Sequence, residues 1–254
     1  MEDVLKELID GSITLEEALK ELELRMYGEF SHNIDTGRDH RTGIPEVVHA
    51  EGKRIPHLIR IMQDFIDRKG RVLVSRLEKG TWESIRGGIQ ERYPDHFVEY
   101  DEDASFLIVR SRSFEIPRSG GKVGILTAGT SDIPVAKEAE ITSREMGCSV
   151  KAYHDVGVAG VHRVMAPLKE LIAWEADVLI VAAGREGALP TLVSGLVKVP
   201  VIGLPVSTGY GIHGKGETAL FAMLQSCSPI AVVNIDAGFV AGAVASRIAS
   251  GCHR

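Results

Sequence analysis

Cysteine is scarce. Cys148, Cys227 and Cys252 are the only three in 254 residues, an odd number at wide spacing. That excludes a disulfide framework and a CxxC metal site, and it fits thiols kept reduced in a cytosol. Positive charge is also short, with 29 Lys and Arg against 35 Asp and Glu and a formal net charge of -6. A protein whose main task is to wrap nucleic acid carries a basic excess, so that class is excluded, whereas a local cluster of Arg and Lys can still hold a small anion. Long apolar runs are missing, and no window approaches the roughly 18 residues of a membrane span. The opening MEDVLKELIDG has acids where a signal peptide has basic residues. A soluble, unexported, cytoplasmic protein is expected.

What is present suffices for a core: 44% of the chain is hydrophobic and 25% charged, which suits one large domain or two modest ones. The two halves differ in pattern. In residues 1–112, Thr14 with Glu17 three positions on makes a capping box, and Leu15, Ala18, Leu19, Leu22 and Met26 follow at helical spacing. Asn33 to Lys53 is dense in charge, with Gly and Pro and little apolar period, and reads mostly as an ordered loop. Ile55 to Lys69 returns to helical spacing, Arg71 to Leu77 alternates like a strand, and HFVEY and SFLIVRS flank DEDA as a hairpin. This half reads as a small α+β domain. Residues 113–121, within SFEIPRSGGK, have the Pro, Ser and Gly content of a linker.

From 122 to 254 five apolar runs recur: KVGILT, CSVKAY, DVLIVAA, PVIGLP and IAVVN, each followed by a small-residue turn and a helix-compatible segment. Strand, turn and helix repeated five times predict an α/β domain with a parallel sheet between two layers of helices, since parallel strands need crossover connections. Ligands of such sheets bind at the carboxyl ends of the strands. The turns there are therefore the place to search.

After the first run, Gly129, Thr130, Ser131 and Asp132 open a helix and can offer backbone N–H groups to phosphate, or Ser131 and Asp132 can simply cap it. After the second, Asp155, His162 and Arg163 bring an acid, a titratable base and a cation to the edge. After the third, Glu186 lies between Gly184, Arg185 and Gly187, where apolar walls would raise its pKa for proton transfer. Ser207 and Thr208 follow the fourth run in a Gly-rich stretch that reads as a lid or a long connection, and Asn234 and Asp236 follow the fifth. Cys227 stands in MLQSCSPIAVVNID, flanked by Ser226 and Ser228. Most lone cysteines are small buried hydrophobes, but a polar, accessible setting is what a reactive thiol needs. In the first domain Arg38, His40, Arg41 and Lys53 form a local cationic cluster for phosphates or an adenosine end, unless Asp39, Glu46 and Glu51 merely neutralise it.

In order and spacing, GTSD, the Gly-rich loop ending in HR, the AAG turn with LP after it, and PVIGLP resemble the core of the aminoimidazole ribonucleotide carboxylase and mutase family. GTSDIPVAKEA, YHDVGVAGVHR, EGALPTLVSGL, the STGYG loop and SCSPIAVVNIDAGF are similar to the LarB carboxylases of nickel-pincer cofactor synthesis, and RDHRTGIPEVVHAEGK extends the likeness into the first domain. The resemblance implies a Rossmann-like, three-layer carboxylase domain. It implies nicotinic acid adenine dinucleotide and carbon dioxide or bicarbonate as substrates, with magnesium on the phosphates and no organic cofactor. The ring would be carboxylated at C5 and the phosphoanhydride split, giving pyridinium-3,5-biscarboxylate mononucleotide and AMP. Cys227 would be the covalent nucleophile, with Glu186, Asp132 or Asp155 as the base and His162 as a further catalytic group. Gly129, Thr130, Ser131, Arg163, Gly187, Ser207, Thr208, Asn234 and Asp236 would line the substrate site. A homo-octamer without nucleic-acid or membrane partners is expected. Aminoimidazole ribonucleotide carboxylation and a regulatory nucleotide-binding role without turnover are the competing readings.

Overall fold

A computed structural model describes residues 2–18, 38–209 and 214–253. Two sheets organise them. The first has strands β1 (Val47–His49), β2 (Arg71–Ser75), β3 (His96–Asp101) and β4 (Phe106–Ser111) in the order β1-β2-β4-β3, with β1 parallel to β2 and the other pairs antiparallel. The second has β5 (Lys122–Thr127), β6 (Ser149–Tyr153), β7 (Val178–Ala183), β8 (Val201–Pro205) and β9 (Ala231–Val232), all parallel, in the order β6-β5-β7-β8-β9. All five apolar runs are strands of the expected parallel sheet.

The period-2 alternation of the first sheet explains its packing. Val72, Val74, Leu107 and Val109 face Leu58, Met62, Phe65 and Ile66 of the helix Ile55–Lys69, and Trp82, Ile85 and Ile89 of the helix Lys79–Arg92. Leu73, Phe106 and Ile108 point to the other face and meet Ile141 and Phe239 from the second half of the chain. β2 and β4 are therefore buried on both faces, and the two halves share an apolar seam. Ion pairs reinforce it: Glu145 accepts from Arg71 at 3.2 Å and from Arg110 at 2.8 Å, and Lys137 pairs with Asp101 and Asp103.

The helix Ile55–Lys69 spans the residues its pattern predicts, with Pro56 in the first turn and Gly70 as a left-handed C-cap whose N–H reaches the Ile66 carbonyl. Thr14 and Glu17 make the reciprocal capping bonds, while Leu19, Leu22 and Met26 lie outside the described residues. Asn33 to Lys53 departs from the expected loop, because it holds the short helix Arg38–Thr42 and β1. Three residues pairing with β2 make a non-local strand that leaves no local pattern.

In the second sheet the helices Ile133–Glu145 and Gly238–Gly251 cover one face, through Ala136, Ala139, Ala241, Ala245 and Ala249 over Val123, Ile125, Ile180 and Leu204. The helices His162–Ala173, Ala188–Ser194 and Glu217–Leu224 cover the other, where Leu168, Leu171, Leu189 and Val193 meet Leu126, Leu179 and Val181. Among the described residues no helix is long and apolar enough to cross a membrane.

Candidate active site

The strand order reverses between β5 and β7, and in doubly wound sheets that reversal opens a crevice at the carboxyl edge. Asp132 fills it. The residue ends a tight 3-10 turn, Thr130–Asp132, and is only 3% exposed. Its carboxylate accepts the N–H of Gly129 at 2.8 Å, and also the N–H of Gly184 and the hydroxyl of Thr208. Turns after β5, β7 and β8 thus converge on one carboxyl. Burial pushes its pKa above the ordinary aspartate range, the three hydrogen bonds oppose the rise, and the nearby negative charge of Glu186 adds to it. Such a group holds a proton more readily than a surface aspartate does.

Convergence needs close backbone approach. At Gly209 a Cβ would overlap the carbonyl of Gly184, and at Gly157 a Cβ would lie 2.6 Å from the carbonyl of Ala128, so the turns interlock only through glycine. The β6 turn is fixed to β5 where the Asp155 N–H meets the Thr127 hydroxyl at 3.1 Å. Asp155 is exposed and pairs with Arg163 at 3.1 Å, leaving it less suited than Asp132 to a dry proton transfer. Thr130, Ser131, Glu186 and His162 are exposed around the same rim. Ser207 donates its N–H to Asp236 at 2.8 Å, which ties the β8 turn to the end of β9, and the Asn234 side chain accepts the N–H of Ile235. Gly187 adopts a left-handed φ of 66° with the backbone of Ala219 behind it, a packing role.

Cys227 is placed elsewhere. It is exposed and precedes β9, so it lies toward the amino edge of the parallel sheet rather than beside Asp132. Neighbouring Ser226 accepts a hydrogen bond from Thr191, and the Ser194 hydroxyl reaches the Pro229 carbonyl, so the thiol's segment packs along the helix Ala188–Ser194 toward its far end. Cys227, expected to act in one catalytic set with Glu186, Asp132 or Asp155, does not share their edge within one chain, which corrects that expectation. A thiol ahead of the last strand and carboxylates after the strands fall on opposite edges by topology alone. Cys148 is buried, and Cys252 is exposed at the end of the last helix.

The cationic cluster of the first domain is partly paired: Arg38 with Glu46 at 3.5 Å, and Lys53 with the His49 carbonyl at 2.7 Å. Arg41 is exposed, and the side chain of His40 lies outside the description. Three residues that sequence reasoning passed over, two from this domain and Glu138 from the second, meet where this domain approaches the carboxyl edge. Arg76, just past β2, pairs with Glu51 at 2.8 Å and lies within the fields of Glu138 and Asp236. Glu138, buried in the helix Ile133–Glu145, accepts the N–H groups of Gly238 and Phe239. Burial first, then the charge of Asp236, pushes its pKa to about 7 against the opposing pull of Arg76. His49 meets the Phe239 ring edge-on at 6.5 Å between centroids. No local pattern singles out these three, because the contacts that define them come from distant parts of the chain.

Among the described residues no group of three or more His, Cys, Asp or Glu is arranged to hold a metal ion. The described side chains do not by themselves form a magnesium site.

The sequence model of a family described as AIR carboxylase matches residues 122–253, and one described as LarB/PurE-like N-terminal domain matches residues 28–112. The chain is 41% identical, over all of its length and 98% of the relative's, to a protein of Methanocaldococcus jannaschii described as uncharacterized. It is 32% identical to the N5-carboxyaminoimidazole ribonucleotide mutase of Thermotoga maritima, over 50% of this chain and 74% of that one. To the mutase of Pyrococcus horikoshii it is 31% identical, over 50% and 71%.

Proposed function

The chain belongs to the AIR carboxylase family, with a LarB/PurE-like domain ahead of that fold, and from this premise we propose that it carboxylates nicotinic acid adenine dinucleotide at C5 of the pyridinium ring and splits the phosphoanhydride. The observation that supports the reading is the seam, where the first domain brings Arg76 within the field of Asp236 at the carboxyl edge. A substrate with two phosphates and two nucleosides uses such a surface; a purine mononucleotide does not.

A pyridinium carbon is too electron-poor to attack carbon dioxide. Thiolate addition at C4 gives a dihydropyridine whose C5 is an enamine carbon. C5 attacks carbon dioxide, a base removes the C5 proton, and expulsion of the thiolate restores the aromatic ring. Asp132 is our choice of base, because it is buried, its pKa is raised and it sits in the crevice. Cys227 supplies the thiolate. Since one chain keeps the two on opposite edges, the thiol must come from a second copy, in keeping with a homo-oligomer.

Mass spectrometry after incubation with the dinucleotide, bicarbonate and magnesium tests this. Biscarboxylated mononucleotide and AMP are expected, and a protein in which Asp132→Asn has been made should turn over about 10²- to 10⁴-fold more slowly. Untouched dinucleotide, with conversion of N5-carboxyaminoimidazole ribonucleotide instead, would move the protein to the mutase reading.

A further inference from the structure

His49 ends β1, inside the charged stretch of the first domain, with one side of its ring exposed at the seam. Behind it the fully buried hydroxyl of Ser75 lies 2.7 Å from Nδ1. This contact fixes the ring plane, and with Nδ1–H donating to Ser75 the other nitrogen, Nε2, keeps its lone pair. Phe239 holds a second side of the ring. Cations surround it: Arg76, Lys53 and Arg38 all act on its charge, and Glu51 opposes them. Partial burial and then these cations hold the imidazole below its ordinary pKa, so it is neutral at neutral pH.

The cations have donors to spare. Lys53 uses one of its three on the His49 carbonyl, and Arg76 uses Nη1 on Glu51. Arg76 is held at a left-handed φ of 53°, which a non-glycine residue seldom adopts, and its charge lies within the fields of Glu138 and Asp236 of the second domain. Across the seam Asp236 receives the Ser207 N–H, so this cluster borders the rim of the crevice. A neutral imidazole oriented by a buried serine, ringed by cations and open to water, is equipment for attack on a phosphate.

We propose that this seam binds the phosphoanhydride of the dinucleotide and cleaves it, with Arg76 and Lys53 on the phosphate oxygens and His49 as the base that activates water. The proposal rests on the dinucleotide reading given above. Water's oxygen bonds to phosphorus, and the bond to the bridging oxygen breaks with its electron pair leaving on the departing phosphate. One water proton passes to His49 Nε2 and on to solvent; the other stays on the new phosphate until it exchanges. Anhydride and water become two phosphate monoesters, with no redox change. Carboxylation at Asp132 and hydrolysis at His49 are thus separate centres served by the two ends of one substrate.

Two measurements on the full chain test this. Inorganic pyrophosphate, with and without magnesium, is titrated calorimetrically into the wild-type and Arg76→Gln proteins, with thermal melts to check folding. Binding by wild type, weakened about tenfold or more by Arg76→Gln, is expected; absent binding, or equal affinity in the variant, overturns the site. If Arg76→Gln does not fold, exposed Lys53→Ala serves in its place. In the second measurement His49→Gln is given the dinucleotide and bicarbonate. AMP release should fall by about 10²-fold or more while dinucleotide carboxylated on the ring accumulates. AMP release at the wild-type rate overturns the role of His49. A wild-type protein that leaves the dinucleotide untouched removes the carboxylase reading instead, and the pyrophosphate titration still decides the site.

Discussion

Asp132 and Glu138 are both buried carboxyls, six residues apart, and they do different work. Asp132 lies at the carboxyl edge where the turns after β5, β7 and β8 converge, whereas Glu138 is enclosed by the seam and caps the first N–H groups of the last helix. Glu138 has a folded pKa of about 7, above its ordinary value of 4.5, so the folded protein binds more protons than the unfolded chain between those values. Its stabilising effect is complete below the lower value and is lost as pH rises through the upper one, a swing of roughly 3 kcal/mol. Glu138→Gln, which cannot ionise but still accepts both N–H groups, should flatten the fall in melting temperature from about pH 5 to about pH 8. A variant as pH-dependent as wild type would place the titration on another group. Neither carboxyl's depth could be read from the sequence. Asp132 stood out through its place in GTSD, while Glu138 resembled any helical glutamate until Gly238 and Phe239 arrived from a hundred residues away.

At the scale of elements, legibility followed locality. The strands of the parallel sheet are covered on both faces, which shows as the unbroken apolar runs DVLIVAA and PVIGLP, and the carboxyl-edge turns could be located from them. β1 was hidden because three residues owe their conformation to β2. The helix Lys79–Arg92 was hidden because Gly87 and Gly88 interrupt a weak stripe of Trp82, Ile85 and Ile89. The double-sided burial of β2 and β4 reflects a partner sheet that no pattern within 1–112 can report. Glu145 measures how firmly the halves hold together. It is 5% exposed and bridges Arg71 and Arg110, so Glu145→Ala leaves two cations facing each other at the seam. Removing one partner of a buried ion pair costs about 3–5 kcal/mol. Partial exposure of Arg110 puts the expectation at the lower end, about 3 kcal/mol, seen as a lower urea midpoint. A midpoint shift worth less than about 0.5 kcal/mol would mean that the seam stands on its apolar contacts alone.

For the whole molecule the decisive fact is the separation of Cys227 from the crevice. Around the thiol lies an apolar surface: Phe221 is 55% exposed and Leu224 62%, both on the helix that leads to it, with Leu196 exposed at the end of the neighbouring helix. Val240 and Val244 make a second apolar stripe, one turn apart on the helix Gly238–Gly251. On the proposed homo-oligomer a second copy would cover these side chains, and closed symmetry would give every copy the same contact. If the thiol works on a ring bound in a neighbour's crevice, Cys227→Ser and Asp132→Asn proteins are each crippled for a different reason, and a mixed oligomer rebuilds some sites from one intact residue of each. Random exchange of equal amounts, by unfolding and refolding together, gives about a quarter of sites an intact thiol and an intact carboxyl. Carboxylation should therefore recover to about a quarter of wild type in the mixture and stay about 10²-fold or more below wild type in either variant alone. Recovery that fails although light scattering shows mixed oligomers would mean that thiol and carboxyl act within one chain, and the ring would have to bind away from the crevice where Asp132 sits.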